Sequence, residues 1–208
     1  MSYGRSLPQH LVPLLQEPFG ILSHWLKRTI PILKQTQKIK PAASNNENST
    51  VATLWFQDYL KAFSPRLGLY GPAYMGQDLL GSALVEMLEQ NKFYVRTIDI
   101  NSIVSTDLTS VDSLILSSFC ELKRHQKAAL YVPNLHSWWY TANPSTRDTF
   151  LSLLDQTRHA SIIVLLTMEW EKEEIPFEIS NLFSTFSTQQ TFTGDWNKAI
   201  CIMEPSKV

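Results

Sequence analysis

From residue 65 onward the chain alternates short apolar runs with longer amphipathic ones, and this alternation restricts its fold more than any other feature. The runs "RLGLY" (66–70), "FYVRTIDI" (93–100), "AALYV" (128–132) and "SIIVLLT" (161–167) have the length and composition of strands, with "TQQTF" (188–192) a fainter fifth. Between them, 77–90, 111–124, 145–157 and 176–183 have helical spacing. Leu80, Ala83, Leu84 and Met87 share one face of the first helix, and Val111, Leu114, Ile115, Phe119 and Leu122 one face of the second. Strands and helices in this order form βα units around a mainly parallel sheet with helices on both faces. The expected fold is an α/β three-layer sandwich with a five-stranded, mainly parallel sheet over residues 51–192, and a C-terminal tail, 193–208, outside it.

The residues ahead of this pattern differ from it. Residues 1–41 carry Pro8, Pro13, Pro18, Pro31 and Pro41, and from 18 to 41 the charges are Lys27, Arg28, Lys34, Lys38 and Lys40 with no acidic residue. Leu22, Trp25, Leu26 and Leu33 fall at near-helical spacing, so the expectation is a basic, partly helical arm, interrupted at Pro31, that is solvated or docks on a neighbouring subunit or acidic partner. The stretch "AASNNENST" (42–50) has nothing to bury and reads as a flexible linker. The run "LWFQDYLKAF", with Leu54, Trp55, Tyr59 and Phe63, suggests one further helix.

Composition narrows the function classes. With 208 residues, 44% of them apolar, the chain can bury a core, and a formal net charge of −1 gives no bulk attraction to nucleic acid or acidic lipid. Sequence-specific DNA binding is therefore not expected. Cys120 and Cys201 stand apart, with no C-x-x-C and no His at ligand spacing, so no metal site is expected and a reducing compartment is. The start has no signal-peptide pattern, and the longest apolar stretch, "SIIVLLTM", is too short to span a bilayer. An intracellular chain makes the sequon at Asn48 a chance match.

One loop carries the chemical question. After the first strand comes "GPAYMGQD" (71–78), with Gly71 and Gly76 in the frame of a phosphate-binding loop but Gln77 and Asp78 where that loop needs Lys and Ser or Thr. The turn after the first strand of such a sheet is the natural anion site, because loop N–H groups and a helix N-terminus converge there. The missing Lys neutralises the terminal phosphates of ATP, and the missing hydroxyl holds magnesium. Asp78 would instead bring a like charge: at about 4 Å and an effective dielectric of about 20, one charge pair is worth about 4 kcal/mol. Micromolar binding totals about 8 kcal/mol. A carboxylate in the first helical turn also stabilises that turn by about 0.3–1 kcal/mol, so Asp78 is expected to fill the anion hole from within.

Two further tests point the same way. The third strand should end in the acidic residues that handle magnesium and water, but "AALYV" runs into Pro133 and Asn134. The nearby His136 is a surface or packing residue on the simpler reading and a substitute base on the other. A polar sensor after the fourth strand and an arginine offered to a neighbour are also needed, yet Met168 and Glu169 follow that strand and "EEIPFEISNLFSTF" has no arginine.

The segments "PRLGLYGPAYMGQDLLGSALVEMLEQ", "FCELKRHQKAALYVPNLHSWW" and "TFLSLLDQ" closely resemble the second, degenerate AAA+ module of the bromodomain-containing AAA+ ATPases that act as histone chaperones, fungal members above all. The match covers about 65–186, and "LPQHLVPLL" with "EPF" resembles the linker before that module. The resemblance implies a P-loop/AAA+ core without its helical lid, since the tail does not follow the family's continuation. It implies vestigial, non-functional sites at Gly71, Gly76, Gln77, Asp78, Pro133 and Asn134, no catalytic residue, and no ATP or magnesium cofactor. It also implies a pseudo-ATPase role in a nuclear, ring-forming assembly with active AAA+ modules and histone H3–H4. Two other readings of the residues stay open. One is a nucleotide-binding ATPase with altered chemistry; the other is an ATP-independent adaptor binding histones or subunits through the basic arm.

Overall fold

The computed structural model describes residues 4–30, 65–99, 109–157, 160, 162–183 and 201–203. The elements are α1 (Val12–Thr29), β1 (Arg66–Tyr70), α2 (Gln77–Gln90), β2 (Tyr94–Thr97), α3 (Thr109–Leu122) and β3 (Ala128–Val132). They continue with α4 (Leu135–Trp139), α5 (Pro144–Gln156), β4 (Ile162–Met168), a 3-10 turn (Lys172–Glu174), α6 (Phe177–Phe183) and β5 (Cys201–Met203). The linker at 42–50, the helix expected around 54–63, the strand expected at 188–192, and Asn48, Leu33, Lys34, Lys38 and Lys40 lie outside the described residues.

The five strands lie in the order β2-β3-β4-β1-β5. The first four are parallel, with Gly68 opposite Leu166 between β1 and β4, and Leu130 opposite Val164 between β3 and β4. The sheet is mainly parallel, as the alternation of strands and helices implies. Its fifth strand comes from 201–203, inside the stretch read as a separate tail, and it runs antiparallel to β1 with Leu69 opposite Ile202. An antiparallel edge on an otherwise parallel sheet is a common arrangement.

Side chains alternate across the sheet with the strand period of two and build two cores. Ala128, Leu130 and Val132 of β3 and Ile162, Val164, Leu166 and Met168 of β4 face α3, α4, α5 and α6. Ala129, Tyr131, Ile163 and Leu165 face the opposite way, toward α2 and α1. The tryptophan pair of "HSWW" belongs to the first core: Trp138 and Trp139 are buried, and Trp138 meets Phe150 edge-on at 5.2 Å between ring centroids. Arg66, buried at the start of β1, donates to the Leu154 carbonyl at 2.7 Å and the Leu182 carbonyl at 3.4 Å, so its charge sits on the C-terminal ends of α5 and α6.

The described part of the arm is helical and ends just before Pro31, and what it docks on is the chain itself. Residues 12–29 form one helix, with Pro13 in its first turn and Pro18 inside it. Leu15, Leu22, Leu26 and Ile30 are buried in the same cluster as Leu80, Leu84 and Leu88 of α2. The apolar stripe of the arm therefore docks on the chain's own core, and neither solvent nor a neighbour is needed to cover it. Lys27 and Arg28 occupy the last turn, where positive charge opposes the negative end of the helix dipole.

Candidate functional site

The loop 71–76 joins β1 to α2 at the carboxyl end of the sheet. Gly76 is the residue before the helix and takes φ 87°, a left-handed conformation that glycine enters without strain. Gly71 needs no such freedom: among the described residues Gly76 is the one glycine with positive φ. Tyr74, midway along the loop, also has φ 66° although it carries a side chain, and that side chain is 93% exposed.

Gln77 turns inward. It is buried, and its Nε2 donates to the Pro72 carbonyl across the loop at 2.7 Å, tying the second half of the loop to its start. Asp78 stands in the first turn of α2, where a carboxylate opposes the positive end of the helix dipole; the residue before the helix, Gly76, has no side chain to cap it. The Asp78 carboxylate also accepts a hydrogen bond from the Thr167 hydroxyl of β4. The same hydroxyl oxygen accepts from the Asn134 backbone N–H at 3.1 Å. Thr167 thus supplies a side-chain donor to the Asp78 carboxylate from across the sheet top.

One buried hydroxyl therefore links positions that the sequence singled out separately: Asp78 after the loop and Asn134 after β3. Asn134 itself sits at φ 48°, ψ 44°, the residue before α4, and the adjoining Pro133 is buried. Thr167 is the polar residue at the end of strand four that reading Met168 and Glu169 passed over. The signal was present, since Thr167 is a single hydroxyl closing the apolar run "IIVLLT". Tyr131 completes this corner. Burial, and after it the nearby Asp78 carboxylate, push its phenol up, so it remains protonated.

The close approach of α2 to the sheet here depends on Gly81. A Cβ at that position would lie 2.6 Å from the Tyr131 hydroxyl and 2.7 Å from Thr167 Cγ2.

A second set of contacts closes the loop from outside. The Glu169 Oε1 accepts from the Tyr74 backbone N–H at 3.2 Å, and the Glu169 N–H donates to His136 Nδ1 at 3.1 Å. His136 Nε2 faces the Glu169 Oε2 at 3.6 Å, and its ring meets Trp170 edge-on. His136 is thus a brace between α4 and the end of β4, with its Nδ1 lone pair engaged by backbone. Among the described residues no group of three His, Cys, Asp or Glu side chains is placed to hold a metal ion. No described helix is long and apolar enough to cross a membrane.

No family model matches the chain. Individual proteins do. Over 148 residues, 70% of this chain, it is 30% identical to the ATPase family AAA domain-containing protein 2 of Mus musculus. It is 30% identical over 123 residues to the ATPase histone chaperone YTA7 of Saccharomyces cerevisiae, and 25% identical over 109 residues to the ATPase histone chaperone abo1 of Schizosaccharomyces pombe. The matched stretches span only 13%, 9% and 9% of those three proteins, so the chain corresponds to a small part of each. Among solved structures, the FIGL-1 AAA domain in complex with ADP superposes with a TM-score of 0.50 over 68% of this chain and 52% of that one, at 16% identity, a likeness of fold. The chain carries the α/β core of an AAA domain and is a homologue, over the stretch they share, of AAA-domain ATPases that include histone chaperones.

Proposed function

We propose that the chain is a non-catalytic AAA+ module, the degenerate second module of a bromodomain-containing histone chaperone of fungal type, and that its work is architectural. In this reading it packs beside active AAA+ modules in a ring that handles histone H3–H4 in the nucleus. The observation that carries it is the loop's closure on its own side chains, Gln77 on the Pro72 carbonyl and Asp78 on Thr167. On this reading the residues present do not fit ATP with magnesium. Gln77 supplies a neutral amide spent on the loop backbone, Asp78 a like charge, and Pro133 and Asn134 no carboxylate. The histone-chaperone part rests on the names of YTA7 and abo1 together with the "YMGQD" and "YVPN" resemblance.

An altered ATPase still lacks a cation in the loop, although Thr167 supplies a polar residue at the end of β4. The adaptor reading rests on the basic residues of the arm, of which Arg28 is exposed while the apolar face of α1 is spent on the core. The test is the double variant Q77K/D78T. It replaces a like charge by an opposite one, so nucleotide affinity should rise at least tenfold, about 1.4 kcal/mol, with no phosphate release because the acids after β3 are still missing. Turnover restored by the loop change alone would refute the account.

A further inference from the structure

The two loop contacts on Gln77 and Asp78 follow from positions where the phosphate-loop pattern is broken. The Glu169 contact does not, since Glu169 lies 95 residues from Tyr74 and outside that motif. We propose that Glu169 is an internal anion that latches the loop: its carboxylate takes the Tyr74 amide that an external oxyanion would otherwise find, and His136 positions it there.

Three features converge on this contact. A backbone N–H in the middle of a loop between a strand and a helix N-terminus is the kind of donor that binds phosphate oxygens, and a carboxylate is the nearest protein equivalent of one. Tyr74 is held at φ 66°, which a residue with a side chain keeps only when its surroundings fix it. Its exposed ring provides no packing for that purpose, so the amide contact to Glu169 holds Tyr74 itself, beside the tie from Gln77 to Pro72 across the loop. Glu169 in turn is not a loose surface carboxylate. Its own N–H is anchored on His136 Nδ1, its second oxygen faces His136 Nε2, and its side chain is 26% exposed. The latch thus joins three elements, the β1–α2 loop, the end of β4 and α4. It also sets a second carboxylate, after Asp78, against the elements around the loop.

The inference rests on the non-catalytic reading, and its test is separable from that one. Two measurements are made on the full chain. Amide hydrogen exchange at Tyr74 is followed by NMR in the wild type, in Glu169→Ala and in Glu169→Gln. Inorganic tripolyphosphate is titrated calorimetrically into Q77K/D78T with and without Glu169→Gln. The latch predicts that Glu169→Ala speeds exchange at Tyr74 about tenfold or more while β3 and β4 amides keep their protection, and that Glu169→Gln, which retains an acceptor, changes exchange less. It also predicts that removing the carboxylate charge tightens tripolyphosphate binding about tenfold, since a like charge near a polyanion is relieved. His136→Ala should loosen Tyr74 protection in the same direction, and His136→Asn, which returns a side-chain carbonyl oxygen near the Glu169 N–H, should restore part of it. Unchanged Tyr74 exchange in Glu169→Ala, or equal tripolyphosphate affinity with and without the Glu169 charge, overturns the latch. ATP turnover by the wild type would instead overturn the non-catalytic reading and leave these two comparisons standing.

Discussion

Leu22→Ala should destabilise the protein by about 2–5 kcal/mol, the range for truncating a fully buried leucine in a core that relaxes only in part. Leu22 has 0% exposure and lies with Leu26, Ile30 and Leu15 in one cluster with the buried face of α2. Domains of this kind have about 5–15 kcal/mol in total, so the loss is a large share of the whole. In urea, the midpoint of the unfolding transition should fall with little change in slope, because the surface exposed on unfolding is nearly the same. Arg28→Ala, on the exposed side of the same helix, should stay within about 0.5 kcal/mol. If α1 were a solvated arm, the two substitutions would behave alike, and that result would sever α1 from the core. Removal of residues 1–30 would strip the cover from Leu80 and Leu84, and such a truncation is expected to aggregate. It cannot serve as a neutral probe of what the arm binds.

Gly81→Ala is the second large effect, and its sign is the informative part. In an exposed helix interior, alanine in place of glycine gains about 1 kcal/mol. Here the added methyl would overlap the Tyr131 hydroxyl and Thr167 Cγ2, and overpacking of that degree costs about 1–3 kcal/mol, with Gly81→Val costing more. The net change should be destabilising. Because one obstruction is a single oxygen atom, Tyr131→Phe should relieve part of it, so the double variant should be more stable than the sum of the single effects predicts. Strict additivity in that cycle, measured by urea unfolding, would mean that the helix is not seated against Tyr131 as described. The same displacement would carry Thr167 away from Asp78, which couples helix seating to the hydroxyl that closes the site.

Much of this architecture is legible in the residues. The β1 and β3 strands and α2 begin and end where hydrophobic period and turn chemistry place them, at 66–70, 128–132 and 77–90. These segments are strongly patterned and locally consistent. The second strand is shorter than its apolar run, ending at Thr97, and the turn into α4 is too short to show a period. β5 is three residues long and draws its stability from pairing with β1, far away in sequence, so nothing local marks it. For α1 the stripe and the break at Pro31 are legible, but the partner that covers the stripe is not. Pro13 in the first turn is compatible with a helix, whereas Pro18 removes an interior hydrogen bond, a cost the buried face of the helix offsets.

The site divides along the same line. The composition of the loop shows that a lysine and a hydroxyl are missing. It does not show where the replacements point, because that depends on which acceptors and donors the sheet top brings within reach. Gln77 could have faced solvent, and Asp78 could have met the N-terminus of α2 alone. Thr167 and Glu169, brought to the loop from β4 and its end, decide both the Asp78 contact and the closure over Tyr74. Local sequence cannot supply that pairing, since 89 and 95 residues separate the partners.

The most direct measurement is calorimetric titration of the wild-type chain with ATP and magnesium, run beside an assay for released phosphate. The account predicts no binding in the micromolar range and no phosphate above the uncatalysed background, with Q77K/D78T binding but equally silent in the assay. Micromolar binding by the wild type accompanied by turnover would contradict it.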